Sequence, residues 1–492
     1  MNLKNQPISK TDYMRYLECP LYGWLAKHKP ELMEQEETLV MRQGNDVESV
    51  AQRLFKAGVE VKSYYEAGSK ETMKLMEKGE PVIYQAQAST GKFLARADIL
   101  VKKKDGWHLY EVKGGTEVKA RYIHDLMFQA NAFLLAGFKL KSINIIYPNN
   151  KYVFDKKKGL DLKKFLVVED LTKKIEEGME EELKEMEKAY KVLMGRRRPK
   201  LASLKRNFEY GLPELMEKEY YKGVPKYSIY DLCGAVTQEK MDELVGKGII
   251  RMVDIPAGFK LDARQRQQVE LTRKKGVFVD KKGIKAGLDE LKFPLYFLDY
   301  ETIQLAIPFF DGTRPWQQIP MQYSLHVLER PGGKLKHFEF LHTDSSSPFE
   351  AIAKTLRERI GDKGTVIAWH SQFESDRNKD VGEMAPKYRK FMADVNRRLV
   401  DLKLIFKAAY MDYRFKGSVS LKAVLPVLAP KLSYTDLEIQ GGGGASEALY
   451  DLVFGSLTGK QREKTKKQLL DYCERDTLAM VVLYQFLKGA IE

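Results

Sequence analysis

Two groups of residues in this sequence have the types and spacing to hold a divalent cation and activate water on it. The first is Asp98, Glu111 and Lys113, carried by FLARADILVKKKDGWHLYEVKG. Taking Asp105-Gly106 as the two-residue turn of a β-hairpin pairs Lys104 with Trp107. That register predicts Asp98 directly opposite Lys113, with Glu111 its diagonal neighbour on the same face. Carboxylates are hard oxygen ligands for a divalent metal. Such a metal polarises a phosphate and acidifies water, while the lysine orients that water or steadies charge on phosphorus. A surface salt bridge on a half-exposed hairpin is the plain alternative.

The second group is Asp299 and Glu301 in FLDYE, with Tyr472 and Asp476 in YCERD. Strand alternation puts Asp299 and Glu301 on one face. Acids inside an apolar strand are costly unless a cation or partner satisfies them. Tyr472 and Asp476, four apart, share one face of a predicted helix. Carboxylates from strand and helix together suit a two-metal centre, with Tyr472 orienting the attacking water. A buried ion pair is the alternative. Arg314 and Trp316, soon after the acid strand, suit clamping a phosphate and stacking a base; a packed surface loop fits equally well. His370 is placed to touch substrate or to close a buried strand.

These residues need particular elements to position them. Residues 10–27 have helix spacing, the hairpin spans 93–113, a helix follows over about 122–136, and SINIIYP reads as a strand. Residues 166–195, rich in Glu, Lys, Leu and Met, predict a solvated helix or connector that ends at Arg196-Arg197-Arg198-Pro199. ELVGKGIIRMVDIP, within 225–290, resembles a helix-hairpin-helix turn, and an ordinary helix–Gly–helix turn fits it as well. From Phe293 the pattern is strand-rich: PLYFLDYETI, MQYSLHVLE and KHFEFLHT, a helix over 349–360, and the strand TVIAWH. Gly441 to Gly444 read as a loop, and a final helix runs over about 463–487.

The chain has 492 residues, 43% hydrophobic and 31% charged, the composition of a globular rather than a disordered protein. No apolar run nears the roughly 20 residues that span a bilayer. MNLKNQPISK lacks the apolar core of a secretory signal. A cytoplasmic address without membrane contact is therefore expected. The net charge of +15 suits a polyanionic partner. Three separated cysteines make neither a disulfide framework nor a four-cysteine zinc site, and seven histidines form no HxxxH pair, so zinc chemistry is not expected. GSLTGK is one residue short of a phosphate loop and has Gln461 where Ser or Thr is required.

Asp98, Glu111-Val112-Lys113 and Gln129 on the next helix resemble the RecB-type branch of the PD-(D/E)XK nucleases. Gly44-Asn-Asp-Val-Glu48 stands where that branch has a glycine followed by a metal-binding histidine, so the resemblance implies Glu48 as the substitute ligand and Gln129 in support. Leu17-Glu-Cys19-Pro20 is similar to the family's opening Cys-Pro helix. The three later cysteines that complete an iron–sulfur cluster in some relatives are missing, so no cluster is expected and Cys19 reads as a packed thiol.

The D-x-E … Y-x-x-x-D order of the second group resembles the DEDD exonucleases of the RNase H-like fold, in their tyrosine variant. Trp369-His370-Ser-Gln-Phe373-Glu374 stands where that family has its third acid. The resemblance thus implies Glu374 in that place, with Asp376 as fallback and Asp401 as an organiser of the core. More broadly, LYFLDYETI…AIPFFDGTRPWQQIPMQYSLHVLE, GSVSLKAVLP and YCERDTLAM resemble an uncharacterised domain family, over about 290–487, commonly fused behind a RecB-like domain.

Together these readings predict an α/β (α+β) chain: a restriction-endonuclease-like domain over 1–165, a helical connector over 166–289, and an RNase H-like domain over 290–492. They imply a nuclease that uses magnesium or manganese on nucleic acid, with DNA favoured over RNA. The competing reading is a nucleic-acid-binding or scaffold protein with one or both sites inactive.

Overall fold

The computed structural model describes residues 6–34, 37–55, 57–199, 204–205, 207–208 and 211–492. The chain is of the α+β class and divides into two compact units, Met1–Gly223 with Leu305–Trp316, and Val224–Gln304 with Gln317–Glu492. The expected connector, 166–289, is shared between them.

In the first unit, α1 (Lys10–Glu18) and α2 (Pro20–His28) replace the single predicted helix. Pro20 has no N–H to continue the first helix and sits at the first position of the second. Ser9 and Asp12 form a capping box at the start of α1. Next come α3 (Leu39–Gln52), β1 (Val82–Ser89), β2 (Phe93–Lys103), β3 (Gly106–Val112), α4 (Ala120–Leu135), β4 (Leu140–Pro148), β5 (Leu166–Asp170) and α5 (Thr172–Met194). The strands β1 to β5 lie in that order in a seven-stranded mixed sheet, with β3 and β4 parallel and the other three pairs antiparallel.

The hairpin register differs from the predicted one. Lys103 pairs with Gly106 and Ile99 with Tyr110, so the turn is Lys104-Asp105, with Gly106 at φ +145° after it. Continuing that register puts Asp98 opposite Glu111, not Lys113. The slip is two residues, an even number, so every side chain keeps its face.

Helix α5 is not merely solvated. Ile175, Met186, Ala189 and Leu193 are buried along one stripe, and Tyr13 donates to Glu182 at 2.7 Å. Its apolar residues recur at helical spacing and close the core built on Phe93, Phe128 and Phe133.

In the second unit, β6 (Leu295–Gln304), β7 (Gln318–Leu328), β8 (Leu335–Leu341), α6 (Phe349–Arg359), β9 (Thr365–Ala368), α7 (Gln372–Met384), β10 (Leu399–Asp401), α8 (Leu402–Ala409), α9 (Gly442–Phe454) and α10 (Gly459–Ile491) follow one another. The five-stranded sheet runs β8-β7-β6-β9-β10, antiparallel among the first three strands and parallel from β6 onward. Central β6 carries the two acids. The expected glycine loop instead opens α9 at Gly442. In ELVGKGIIRMVDIP the helix Gln238–Gly246 turns through Gly248 at φ +74° into a 3₁₀ turn, Met252–Asp254, and the next α-helix begins only at Ala263. Among the described residues no helix is long and apolar enough to cross a membrane.

Candidate functional site

The first group gathers at the end of the hairpin. Glu111 and Gln129 are buried. Gln129 donates through Nε2 to Glu111 Oε2 and to Asp125 Oδ1, each at 2.8 Å. Lys113 Nζ meets Glu111 Oε1 at 2.6 Å and Asp125 Oδ2 at 2.5 Å. From the start of α1, Lys10 Nζ reaches the same Glu111 oxygen at 2.6 Å and Asp125 at 3.5 Å. Burial opposes ionisation of Asp125, but Lys10 and Lys113 outweigh it and hold its carboxyl down at about 2.

Asp98 accepts the Val112 N–H at 2.7 Å. Burial, then the nearby Glu111 charge, push Asp98 well above the usual carboxylate range. Glu48, on α3, accepts from Gln85 and, at 3.2 Å, from Gln52. Burial raises its pKa, and the Glu111 charge adds to the rise. Gln85 carries backbone strain, at φ +54°.

The structure thus brings Asp98, Glu111, Lys113 and Gln129 into one cluster with Glu48 beside it. Two members were missed. Asp125, one helical turn before Gln129, was legible from spacing; Lys10 was not, because only folding carries it across 101 residues to Glu111. Among the described residues, Glu48, Asp98 and Glu111 do not form a set with ligand oxygens within 4.8 Å of one another. Glu111 is engaged by two ammonium groups instead.

Trp316 belongs to this first unit, as does the whole stretch Leu305–Trp316. Its indole N–H donates to the Gly114 carbonyl at 2.6 Å, and the residue sits at φ +59°. The backbone N–H of Ala306 donates to Gln43 at 2.6 Å and that of Phe154 to the Thr313 carbonyl at 2.9 Å. Trp316 therefore anchors a loop beside Lys113 through its polar edge. Arg314 in the same loop is exposed.

In the second group, Asp299, Glu301 and Asp476 each offer an oxygen, all within 4.8 Å of one another. Glu301 and Asp476 are buried and Asp299 is partly so. Tyr300, on the opposite face of β6, donates to Asn378 of α7 at 2.7 Å. Burial, then the Asp476 charge, push both Asp299 and Glu301 well above the carboxylate range. Asp476 is raised by burial to about 6, against the Tyr434 hydroxyl, which donates to it, and the charge of Lys422. Tyr472 stands one turn before Asp476 on α10, and the Lys422 ammonium lies 5.6 Å from its ring centre.

Glu374, in the first turn of α7, stands outside the 4.8 Å set, but its charge acts on both Asp299 and Glu301. It is 2% exposed, burial raises it to about 8, and among the described residues its Oε2 has no hydrogen-bond partner. Asp376 is turned to Gln372 and Lys379, at 3.0 and 2.9 Å. Asp401 caps α8 and accepts the N–H groups of His370 and Ser371 at 3.1 and 3.2 Å. His370 is exposed, at φ +82°, and does not close a buried strand. Tyr434 and Lys422 were missed, since neither lies at a fixed spacing from the acids.

A third set was not legible in the sequence either. His326 of β7, His337 of β8 and Glu474 of α10 also offer ligand atoms within 4.8 Å of one another. The three cysteines are buried and free. Cys19 lies 3.3 Å from the Tyr220 hydroxyl, and Cys473 Sγ is 3.7 Å from Asp299 Oδ2.

Residues 296–420 match the model of a domain of unknown function, DUF2779. The stretch holds Asp299, Glu301 and Glu374 but ends before Asp476. The chain is similar to the uncharacterized protein MG366 homolog of Mycoplasma pneumoniae, 28% identical over a comparison of 237 residues that covers 43% of this chain and 36% of that one. Uncharacterized protein MG366 of Mycoplasma genitalium is 24% identical, over 42% of this chain and 33% of its own length. Uncharacterized protein UU173 of Ureaplasma parvum is 23% identical, over 41% and 32%. The chain thus spans about a third of the length of the curated relatives it matches.

Proposed function

We propose that this protein is a metal-dependent, exonuclease-type nuclease of the cytoplasm whose principal centre is Asp299, Glu301 and Asp476. The observation that carries this is the approach of three carboxylates within 4.8 Å, two of them on the central strand and one on the helix laid over it. An all-oxygen donor set of this kind fits magnesium or manganese, and the unpartnered Oε2 of Glu374 supplies a further acceptor beside it. Bound there, the ion would acidify a water and draw charge from a scissile phosphate.

The protein's own groups do the rest. Burial, chiefly, pushes the Tyr472 hydroxyl far above its usual range, so it stays protonated and orients the attacking water. Tyr434 holds Asp476 in its ionised form by donating to it. Lys422 adds a positive charge that favours ionised Glu301 and Asp476. The mixed sheet, with carboxylates on its central strand, supports an RNase H-like reading of the second unit. In the first, hairpin acids with Lys113 and Gln129 support a RecB-like one. The +15 net charge supports a nucleic-acid substrate, DNA before RNA.

A second reading of the first cluster rests on the two ammonium groups that hold Glu111: with that carboxylate neutralised the site is inactive, and the chain binds nucleic acid without cutting it there. Purified protein with manganese and end-labelled single- and double-stranded DNA and RNA tests both readings. The expected result is chelator-sensitive hydrolysis that Asp299→Ala abolishes, with Asp98→Ala reporting whether the first cluster contributes. Intact substrates throughout would overturn the nuclease reading.

A further inference from the structure

We propose that His326, His337 and Glu474 form a second metal-binding site, for a zinc-class divalent ion, which pins α10 to the outer strands of its sheet. This does not depend on the nuclease reading.

The site is assembled across three elements. His326 and His337 are directly opposed partners on antiparallel β7 and β8. Their rings lie 4.4 Å apart, 26° from parallel. Glu474 comes from α10, with Oε1 3.6 Å from His337 Nδ1.

The surrounding hydrogen bonds decide which nitrogens are free. Thr477 has one hydroxyl proton, and it donates to the Glu474 carbonyl at 3.1 Å. The Thr477 oxygen must then accept from its two other neighbours, His326 Nδ1 at 2.8 Å and Ser324 Oγ at 2.7 Å. With its own proton so used, Ser324 accepts from His337 Nε2 at 2.9 Å. One assignment therefore satisfies every bond. In the neutral imidazoles it leaves bare lone pairs on His326 Nε2 and on His337 Nδ1, the latter 3.6 Å from the Glu474 carboxylate. Hydroxyls that fix the far nitrogen of each imidazole are the usual support of metal-ligating histidines.

Two imidazoles and one carboxylate are softer than the all-oxygen cluster and select zinc, cobalt or a similar first-row ion over magnesium. Three protein ligands leave a position for water. His326 is buried, whereas the side chains of His337 and Glu474 are 23% and 43% exposed, so the ion has a way in from solvent. An ion there would tie β7 and β8 to α10 two residues before Asp476. Ser324, which supports His337, is itself paired with Asp299 on β6.

The test uses the full-length protein, stripped with chelator and kept in excess Mg²⁺ so that the carboxylate cluster is occupied. Cobalt should give a visible d–d absorption that saturates at a single equivalent and is displaced by zinc, and zinc should raise the Tm. His337→Gln and Glu474→Gln, both at partly exposed positions, should lower zinc affinity about tenfold or more and abolish the Tm rise, with the far-ultraviolet circular dichroism unchanged. Asp299→Asn should keep the zinc equivalent. The proposal is overturned if the wild-type protein takes up no cobalt or zinc in excess Mg²⁺, if both glutamine variants bind as it does, or if Asp299→Asn removes the equivalent, which would place the ion in the carboxylate cluster.

Discussion

Replacing Asp299 with asparagine should stabilise the metal-free protein, and by an amount that depends on pH. Ionised carboxylates within 4.8 Å repel one another by roughly 3–4 kcal/mol per pair at an effective dielectric constant of about 20. The folded protein avoids this by keeping a proton on Asp299, whose pKa stands well above its ordinary 3.8. The unfolded chain loses that proton near 3.8. Folding therefore costs nothing extra below that pH and about 1.4 kcal/mol more for each pH unit above it, until the raised folded-state pKa is passed. At pH 7 the burden is up to about 4 kcal/mol. Asp299→Asn removes it while preserving shape, so its advantage should be near zero at pH 4 and grow with pH toward that ceiling at pH 7. Urea denaturation in chelator at pH 4, 5.5 and 7 measures this directly. With manganese the sign should invert, because the ion stabilises the wild-type cluster and not the variant. Equal wild-type and variant stabilities at all three pH values, or a variant weaker than wild type throughout in chelator, would refute the reasoning.

Lys10→Met leaves Asp125 and Glu111 with Lys113 as their remaining cation. Its removal should cost about 3 kcal/mol in urea denaturation at pH 7, and a loss below about 0.5 kcal/mol would show that Lys113 suffices. The low folded-state pKa of Asp125, about 2, contributes stability that is present above its ordinary 3.8 and lost as pH falls through 2, so the variant should also show a shallower acid limb. Tyr434→Phe deletes the bond that favours ionised Asp476, whose folded-state pKa is about 6. The pH at which manganese half-saturates the protein should then rise by about one unit; an unmoved or lower midpoint would remove Tyr434 from the centre.

The acids of the second centre were legible because their chemistry conflicts with their surroundings. Asp299 and Glu301 interrupt an apolar strand, and only burial against a partner or cation explains that. Glu111 and Lys113 could be placed on one face by alternation alone. The exact partner of Asp98 could not, since the register depended on whether Gly106 lies inside the turn or just after it. Glu374 was found by resemblance, and the structure adds that one of its buried oxygens lacks a hydrogen-bond partner. The sequence of Arg314 and Trp316 fits a phosphate clamp and base stack or a packed surface loop equally well. The packing of Leu305–Trp316 places both in the first unit, where Trp316 hydrogen-bonds Gly114.

Local periodicity therefore determined the elements, their faces and the carboxylates that those faces carry, because alternation and helical repeat act over a few residues. Tertiary structure decided which distant groups meet them. Lys10 joins Glu111 across 101 positions and Tyr434 joins Asp476 across 42, and His326, His337 and Glu474 converge from two strands and a helix. No spacing rule links such residues. The packing of α1, α10 and the two sheets creates those contacts, and with them the burial and charge that set each group's affinity for protons and cations.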